Sequence, residues 1–316
     1  MTLLRRPTFF SASDGHENGS SSFLPMLTRP LTKHNNIVAV LGEFVGTFLF
    51  LFFSFAGTQL ANTPPPTNND GLPNTSNLMF IALAFGMSLL TNVWVFYRVT
   101  GGLFNPVVAL ALLLIGGLSP VRFVLVVIAQ FLGAIAAAGV VSALFPGPMV
   151  VATTLAGGAT IVQGLFIEMF LTAQLVFVIL MVAVEKHKAT YLAPLAIGIA
   201  FFLCELVGVY FTGGSLNPAR SLGPAVVGHS FPGYFWIYWV GPLLGSLLAC
   251  GFYVLLKYLR WQDCNPGQDW NDIEKMESEK RQLSFKGNQS TCTHHSAATE
   301  AQSASSQAEP QATTTA

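Results

Sequence analysis

Charge is what this sequence has least of: 9% of its 316 residues are Asp, Glu, Lys or Arg, against about a quarter in an ordinary soluble domain. A surface so poor in charge is not that of a soluble protein. Neither sign is in surplus, since Lys plus Arg and Asp plus Glu are 15 each. With no basic excess to neutralise phosphates, nucleic acid is excluded as a partner. Cysteine is also scarce. Of the four, Cys204 and Cys250 lie in apolar runs and Cys264 and Cys292 in a polar stretch, without CxxC spacing, so neither zinc nor a disulfide framework is expected. Arg5 and Arg6 precede Phe9 and Phe10, but Ser, Asp, Gly and Asn follow where an export signal needs an apolar run. No secretory or twin-arginine signal is expected.

What the sequence has is apolar length. Hydrophobic residues make up 52% of it, and the few charges are unevenly placed. Residues 36–260 hold 7 Lys/Arg and 5 Asp/Glu, while residues 261–316 hold 4 and 8. This is an apolar body between polar ends, and residues 1–35 and 261–316 are expected to be disordered tails. A bilayer crossing needs about 20 apolar residues. Six runs qualify, at about 37–60, 78–97, 121–143, 161–184, 191–211 and 234–258. Those spans contain no Asp and no His, which removes aspartyl, Ser/His and most metal chemistry. An enzyme, a cofactor and a metal site are therefore not expected. His294 and His295 read as a solvated pair in a Ser/Thr/Ala/Gln-rich stretch.

Two shorter apolar stretches, 104–115 and 217–228, are each only about half a membrane thick at 1.5 Å per residue. They belong to an internal repeat. Gly101-Gly102-Leu103-Phe104-Asn105-Pro106 returns as Gly213-Gly214-Ser215-Leu216-Asn217-Pro218, and Gln130-Phe131-Leu132-Gly133 corresponds to Pro242-Leu243-Leu244-Gly245, both at an offset of 112. Glu43 and Thr47 match Glu168 and Thr172 at an offset of 125, the difference lying in the 61–77 loop. The repeat halves are about 36–143 and 160–258. Each has three spans, an odd number, so the second half enters the membrane inverted. The Asn-Pro segments then dip in from opposite faces as re-entrant half-helices, with Pro106 and Pro218 at the first helical position. The fold class expected is an all-α membrane protein with six transmembrane helices and two re-entrant half-helices.

Both half-helix N-termini would meet at the midplane, each carrying about half a positive charge. Broken backbone at that depth is tolerable only in a protein interior or along a wet cavity. Cations would meet a barrier there, while Asn105 and Asn217 offer N–H donors to a passing oxygen. The 61–77 and 144–160 connections carry no Lys or Arg, whereas Arg29, Lys33, Arg98, Arg122, Lys186, Lys188, Lys257 and Arg260 fall on the other side. The positive-inside rule puts both termini in the cytoplasm. Arg220, the exception, becomes a site candidate. In that orientation Asn74-Thr75-Ser76 is the outward-facing sequon, since Asn18 and Asn288 head the others in the tails.

These residues resemble the aquaporin (major intrinsic protein) family across 36–260. The Asn217-Pro218-Ala219-Arg220 run, the repeat, the Trp239-Val240-Gly241-Pro242 stretch and the two glutamates carry the likeness. The resemblance implies a multi-pass protein of the plasma membrane, a homotetramer with one pore per subunit. Its implied function is a passive channel for water, with hydrogen peroxide or another small uncharged solute as further cargo. It also implies that Glu43 and Glu168 brace the re-entrant loops, that Asn105, Pro106, Val107, Asn217, Pro218 and Ala219 form the pore motif, and that Phe85, Glu205, Gly214 and Arg220 form the selectivity filter. Ser221, Ala225, Tyr238 and Trp239 look like the water-type members rather than the glycerol-type ones.

Two departures stand out. Val107 replaces the usual Ala of the first motif, and Glu205 stands where most water-selective members have His. A carboxylate beside Arg220 is expected to pair with it across the narrowest point, and protonation of Glu205 would then release Arg220 and make the filter pH-sensitive. The competing expectation is that Glu205 faces a neighbouring helix. A rival function is a proton-coupled transporter using Glu43, Glu168 and Glu205 as relay carboxylates. Arg5-Arg6-Pro7-Thr8 and Arg281-Gln282-Leu283-Ser284 resemble sites for basic-directed kinases, which would make the tails regulatory.

Overall fold

Without water, a backbone must satisfy its own N–H and C=O groups, and the helix is the way a single segment does so. The computed structural model describes residues 33–63, 74–265, 267–268 and 280; the expected disordered tails, their kinase-type motifs and the Asn18 and Asn288 sequons lie largely outside these. Among the described residues the secondary structure is helical throughout, with no strand. In order come α1 (Lys33–Ala61), α2 (Thr75–Phe96), α3 (Pro106–Leu114), α4 (Pro120–Leu144), α5 (Ile161–Ile179), α6 (Ala193–Thr212), α7 (Pro218–Val227) and α8 (Ile237–Tyr258). Six of the helical segments are long and apolar enough to cross a membrane, and α3 and α7 are the short ones.

The ends follow from local chemistry. Asn74 caps α2 by accepting the Asn77 N–H at 3.2 Å, and Thr160 and Gln163 form a reciprocal capping box on α5, each satisfying N–H groups that a helix start leaves open. The span expected over 161–184 is continuous but changes character: α5 passes into a π-helical turn at Leu180–Val184. The last span starts at Ile237 rather than 234, because Phe235 and Ile237 donate into the turn that Pro232 and Tyr234 begin.

The chain divides into two units, residues 1–254 and 255–316. In the first, α2 packs on α6, α1 on α4 and α2, α4 on α7, and α5 on α6. The crossings repeat as the sequence does. A side-chain carbon at Gly86 would lie 2.5 Å from Phe202 Cβ, and one at Gly198 would lie 2.9 Å from Leu90 Cα. These glycines, 112 positions apart, let α2 and α6 touch backbone to backbone. Gly133 and Gly245 do the same, Gly133 against Phe44 O on α1 and Gly245 against Thr172 on α5. The second unit's described residues include a 3-10 turn, Trp261–Asp263, beside an exposed Arg260–Asp263 ion pair at 2.7 Å.

Burial runs opposite to that of a soluble protein. Glu43, Glu168, Glu205, Gln130 and Arg220 are buried, while Phe53, Leu83, Met87, Leu132, Ile199, Val207 and Leu247 are exposed. Apolar outer faces of this extent need a non-aqueous surround, and the protein is an integral, multi-pass membrane protein.

Candidate functional site

The two Gly-Gly segments set up the site. Gly101, Gly102, Gly213 and Gly214 all have positive φ, and so do Phe104 at +49° and Leu216 at +50°. A bulky side chain in the left-handed region costs on the order of 1–3 kcal/mol and persists only where the surroundings impose it. Two glutamates impose it here. Glu43 accepts the N–H of Leu103 at 3.1 Å and of Phe104 at 2.9 Å, and Glu168 accepts those of Ser215 at 2.9 Å and Leu216 at 2.8 Å. Successive N–H groups converging on one acceptor demand a side chain with two oxygens and no donor, which is a carboxylate. Gln130 adds a third bond to Glu43 at 2.8 Å.

Held in this way, the loops deliver Asn105 and Asn217 to the starts of α3 and α7. Asn105 Oδ1 accepts the Val107 N–H at 3.1 Å, and Asn217 Oδ1 accepts those of Ala219 at 2.9 Å and Arg220 at 3.4 Å. Each oxygen being used by its own helix, each amide nitrogen faces the other loop. Asn105 donates to Leu216 O and Asn217 to Phe104 O, both at 2.8 Å. The two half-helix starts are thereby stitched together. An amide nitrogen carries two N–H groups, so each asparagine retains one beyond its cross-loop bond. Pro106 and Pro218 occupy the first helical positions and are buried, as is Ala219. Val107 is buried too, and its carbonyl accepts Ser246 Oγ at 2.8 Å.

Arg220, one residue beyond Ala219, is buried with its guanidinium carbon 4.9 Å from the Phe85 ring centroid and 5.5 Å from that of Phe55. Its donors go to backbone oxygens: Nε to Gly214 at 3.0 Å, and the two terminal nitrogens to Val151 at 2.7 Å and Gly213 at 3.1 Å. Five N–H groups less three leaves two.

Glu205 on α6 reaches the same place. A side-chain carbon on Gly214 would collide with its carboxylate, which is how closely the two pack. The structure thus brings Phe85, Glu205, Gly214 and Arg220 together, but not as the expected ion pair. No Glu205–Arg220 contact comes within salt-bridge distance among the described residues, and both Glu205 oxygens are buried without a hydrogen-bond partner. The physical reason is that three carbonyls already fix the guanidinium. Since carbonyls do not titrate, protonation of Glu205 has no Arg220 to release.

Sequence reasoning missed three parts of this site: the Val151 carbonyl, the Phe55 ring and the loop that carries Val151. A backbone carbonyl has no sequence signature, and Phe55 is one of 26 phenylalanines. Of the other positions singled out, Ser221 bonds the hydroxyls of Ser215 and Thr153. Ala225 is buried. Tyr238 donates to Thr212 O at 3.0 Å, and Trp239 stacks on Phe131 with centroids 5.4 Å apart.

Comparison with known proteins gives a consistent answer. The profile of the family described as Major intrinsic protein matches residues 30–253. Aquaporin-7 of Botryotinia fuckeliana (strain B05.10) is 56% identical over 239 residues, 74% of this chain and 53% of that protein. Probable aquaporin-5 of Gibberella zeae (strain PH-1) is 52% identical over 246 residues, 76% of this chain and 45% of that one. The chain thus spans about half the length of these relatives, although it covers 87% of probable aquaporin-3 of Gibberella zeae, which is 51% identical over 248 residues. The X-ray structure of the aquaglyceroporin from Plasmodium falciparum shares the fold, with a TM-score of 0.59 at 24% identity over 69% of this chain and 95% of that chain.

Proposed function

The chain belongs to the major intrinsic protein family, and from that membership we propose that it is a passive channel for water and small uncharged solutes, hydrogen peroxide among them. The observation that carries the reading is the mutual bond of the two half-helix starts, Asn105 to Leu216 O and Asn217 to Phe104 O. It puts two positive helix ends and two spare N–H donors at one point. A water oxygen can accept from those donors, whereas a cation meets the positive ends of both dipoles. At 1.5 Å per residue, the nine residues of α3 and ten of α7 add up to about 30 Å, a hydrocarbon thickness.

In this reading Asn105, Pro106, Val107, Asn217, Pro218 and Ala219 form the central constriction. Phe85, Glu205, Gly214 and Arg220 form the outer filter, where the two spare Arg220 donors and the unpartnered Glu205 carboxylate face a solute from opposite chemistries. Glu43 and Glu168 brace the loops. The channel body is 36–260, both tails are cytoplasmic, and the protein works as a homotetramer in the plasma membrane. The proton-coupled alternative lacks support: of its three relay carboxylates, Glu43 and Glu168 have both oxygens engaged by loop N–H groups, which leaves the unpartnered Glu205 without a second free carboxylate to pass a proton to.

The test is stopped-flow permeability of proteoliposomes to water, peroxide and glycerol, for the wild type, Glu205→Gln and Glu205→His. The filter assignment expects the solute profile to differ among the three. Identical profiles at equal protein content would remove Glu205 from the filter, and no flux of any solute above protein-free vesicles would defeat the channel reading.

A further inference from the structure

The Val151 carbonyl that holds Arg220 sits on a segment without regular structure, residues 149–156, and something must fix that segment before it can fix an arginine. At its far end the segment is tied to the 211–213 region by Ala156 N–H to Phe211 O at 2.9 Å and by close backbone packing of Thr153 on Gly213. At the near end the tie is a side chain. Gln59, in the last turn of α1 and buried, donates from Nε2 to Pro148 O at 2.9 Å and accepts the Val150 N–H at Oε1, also at 2.9 Å. One amide thus pairs with the chain as a second backbone strand would. Asn62, three residues on, donates to Val150 O at 3.0 Å and accepts from Asn77 of α2 at 3.1 Å. Both polar groups of Val150 are therefore held by side chains, one residue before the carbonyl that Arg220 uses.

We infer that Gln59, assisted by Asn62, is a positioning residue of the filter: it clamps residues 148–150 so that the Val151 carbonyl sets the place of the Arg220 guanidinium, and through it the solute selectivity. The inference rests on the channel reading for its functional consequence, though not for its structural one. Neither residue touches the site, and neither belongs to the repeat or the Asn-Pro motifs. A glutamine at a helix end would otherwise read as an ordinary polar terminus. The clamp differs from general loop stabilisation in one respect: its effect must pass through Arg220.

The decisive experiment is a double-mutant cycle between Gln59→Met, which keeps the side chain's length but removes its donor and acceptor, and Arg220→Lys, which removes the guanidinium bonds. In proteoliposomes the glycerol-to-water permeability ratio of the Gln59→Met variant should rise about threefold or more over wild type, and the same substitution should change little once Arg220 is lysine. Asn62→Ala should move the ratio the same way by less, and provides the reading if Gln59→Met folds poorly. An equal effect of Gln59→Met in both backgrounds, or an unchanged ratio, would overturn the inference. Two measurements need no flux. Hydrogen exchange at the Val150 amide and phenylglyoxal modification of Arg220, followed by mass spectrometry, should both speed up in Gln59→Met and in Asn62→Ala. Wild-type rates in the variants would sink the clamp, while vesicles that passed neither water nor glycerol would sink the channel reading alone.

Discussion

Replacing Asn217 with aspartate changes one atom of the side chain and reverses the electrostatics at the centre. The native Nδ2 donates to Phe104 O at 2.8 Å; in the variant a carboxylate oxygen would face that carbonyl instead, a mismatch costing about 1–3 kcal/mol. Two positive helix ends oppose the loss. A half charge about 5 Å from a carboxylate contributes roughly 1.7 kcal/mol at an effective dielectric near 20, so two ends contribute about 3 kcal/mol. The terms nearly cancel, and the variant should fold. The effect on permeation does not cancel. A monovalent cation about 4 Å from the new carboxylate gains roughly 4 kcal/mol at the same dielectric, more than the helix ends oppose. Since 1.4 kcal/mol is tenfold, cation leakage should rise on the order of a hundredfold or more. Water flux should fall with the loss of a donor. The assay is paired: potential-sensitive dye uptake in potassium-gradient proteoliposomes and stopped-flow water permeability of the same vesicles. If ion exclusion and water flux both match wild type, the opposed-dipole account of the centre is wrong.

Three further substitutions follow from the same geometry. Val107→Ala removes two methyl groups from a buried site while leaving the carbonyl that Ser246 bonds; single-channel water permeability should change modestly with ion exclusion intact, and loss of folded protein would contradict this. Gly86→Val would drive a side chain into Phe202 and the Gly198 carbonyl; thermal unfolding in detergent should show a loss of several kcal/mol, and wild-type stability would mean that α2 and α6 do not cross there. Glu168→Gln leaves one of the Ser215 and Leu216 N–H groups facing a donor, costing about 1–3 kcal/mol. Exchange at those two amides should rise well before global unfolding, and unchanged protection would show that the loop does not depend on the carboxylate.

Much of the fold was legible because membrane helices announce themselves by length, and because the repeat offset of 112 recurs in Asn105 and Asn217. The same offset links Gly86 to Gly198, a pairing visible only once the helices cross. For the site, the residue types were legible and the partners were not. Arg220 and Glu205 are opposite charges at positions proposed for one filter, and Coulomb's law alone pairs them. Three carbonyls on two separate loops, from Val151, Gly213 and Gly214, take the guanidinium donors that the carboxylate was expected to take, and a backbone oxygen carries no mark in the sequence. The left-handed conformations of Phe104 and Leu216 were equally hidden. Glycine pairs advertise a turn, but only the glutamate bonds show that the turn extends to bulky residues. Gln59 lay outside every motif, since its role comes from a loop 89 to 91 positions away.

If the channel reading holds, flow through this protein is passive and uncoupled from protons. This is decided by stopped-flow osmotic permeability of wild-type proteoliposomes, recorded with an internal pH dye and with or without an imposed pH gradient. Water permeability should exceed that of protein-free vesicles and be identical with and without the gradient, with no change in internal pH as water moves. Permeability no greater than that of protein-free vesicles, or solute movement that needs the gradient and acidifies the interior, would contradict it.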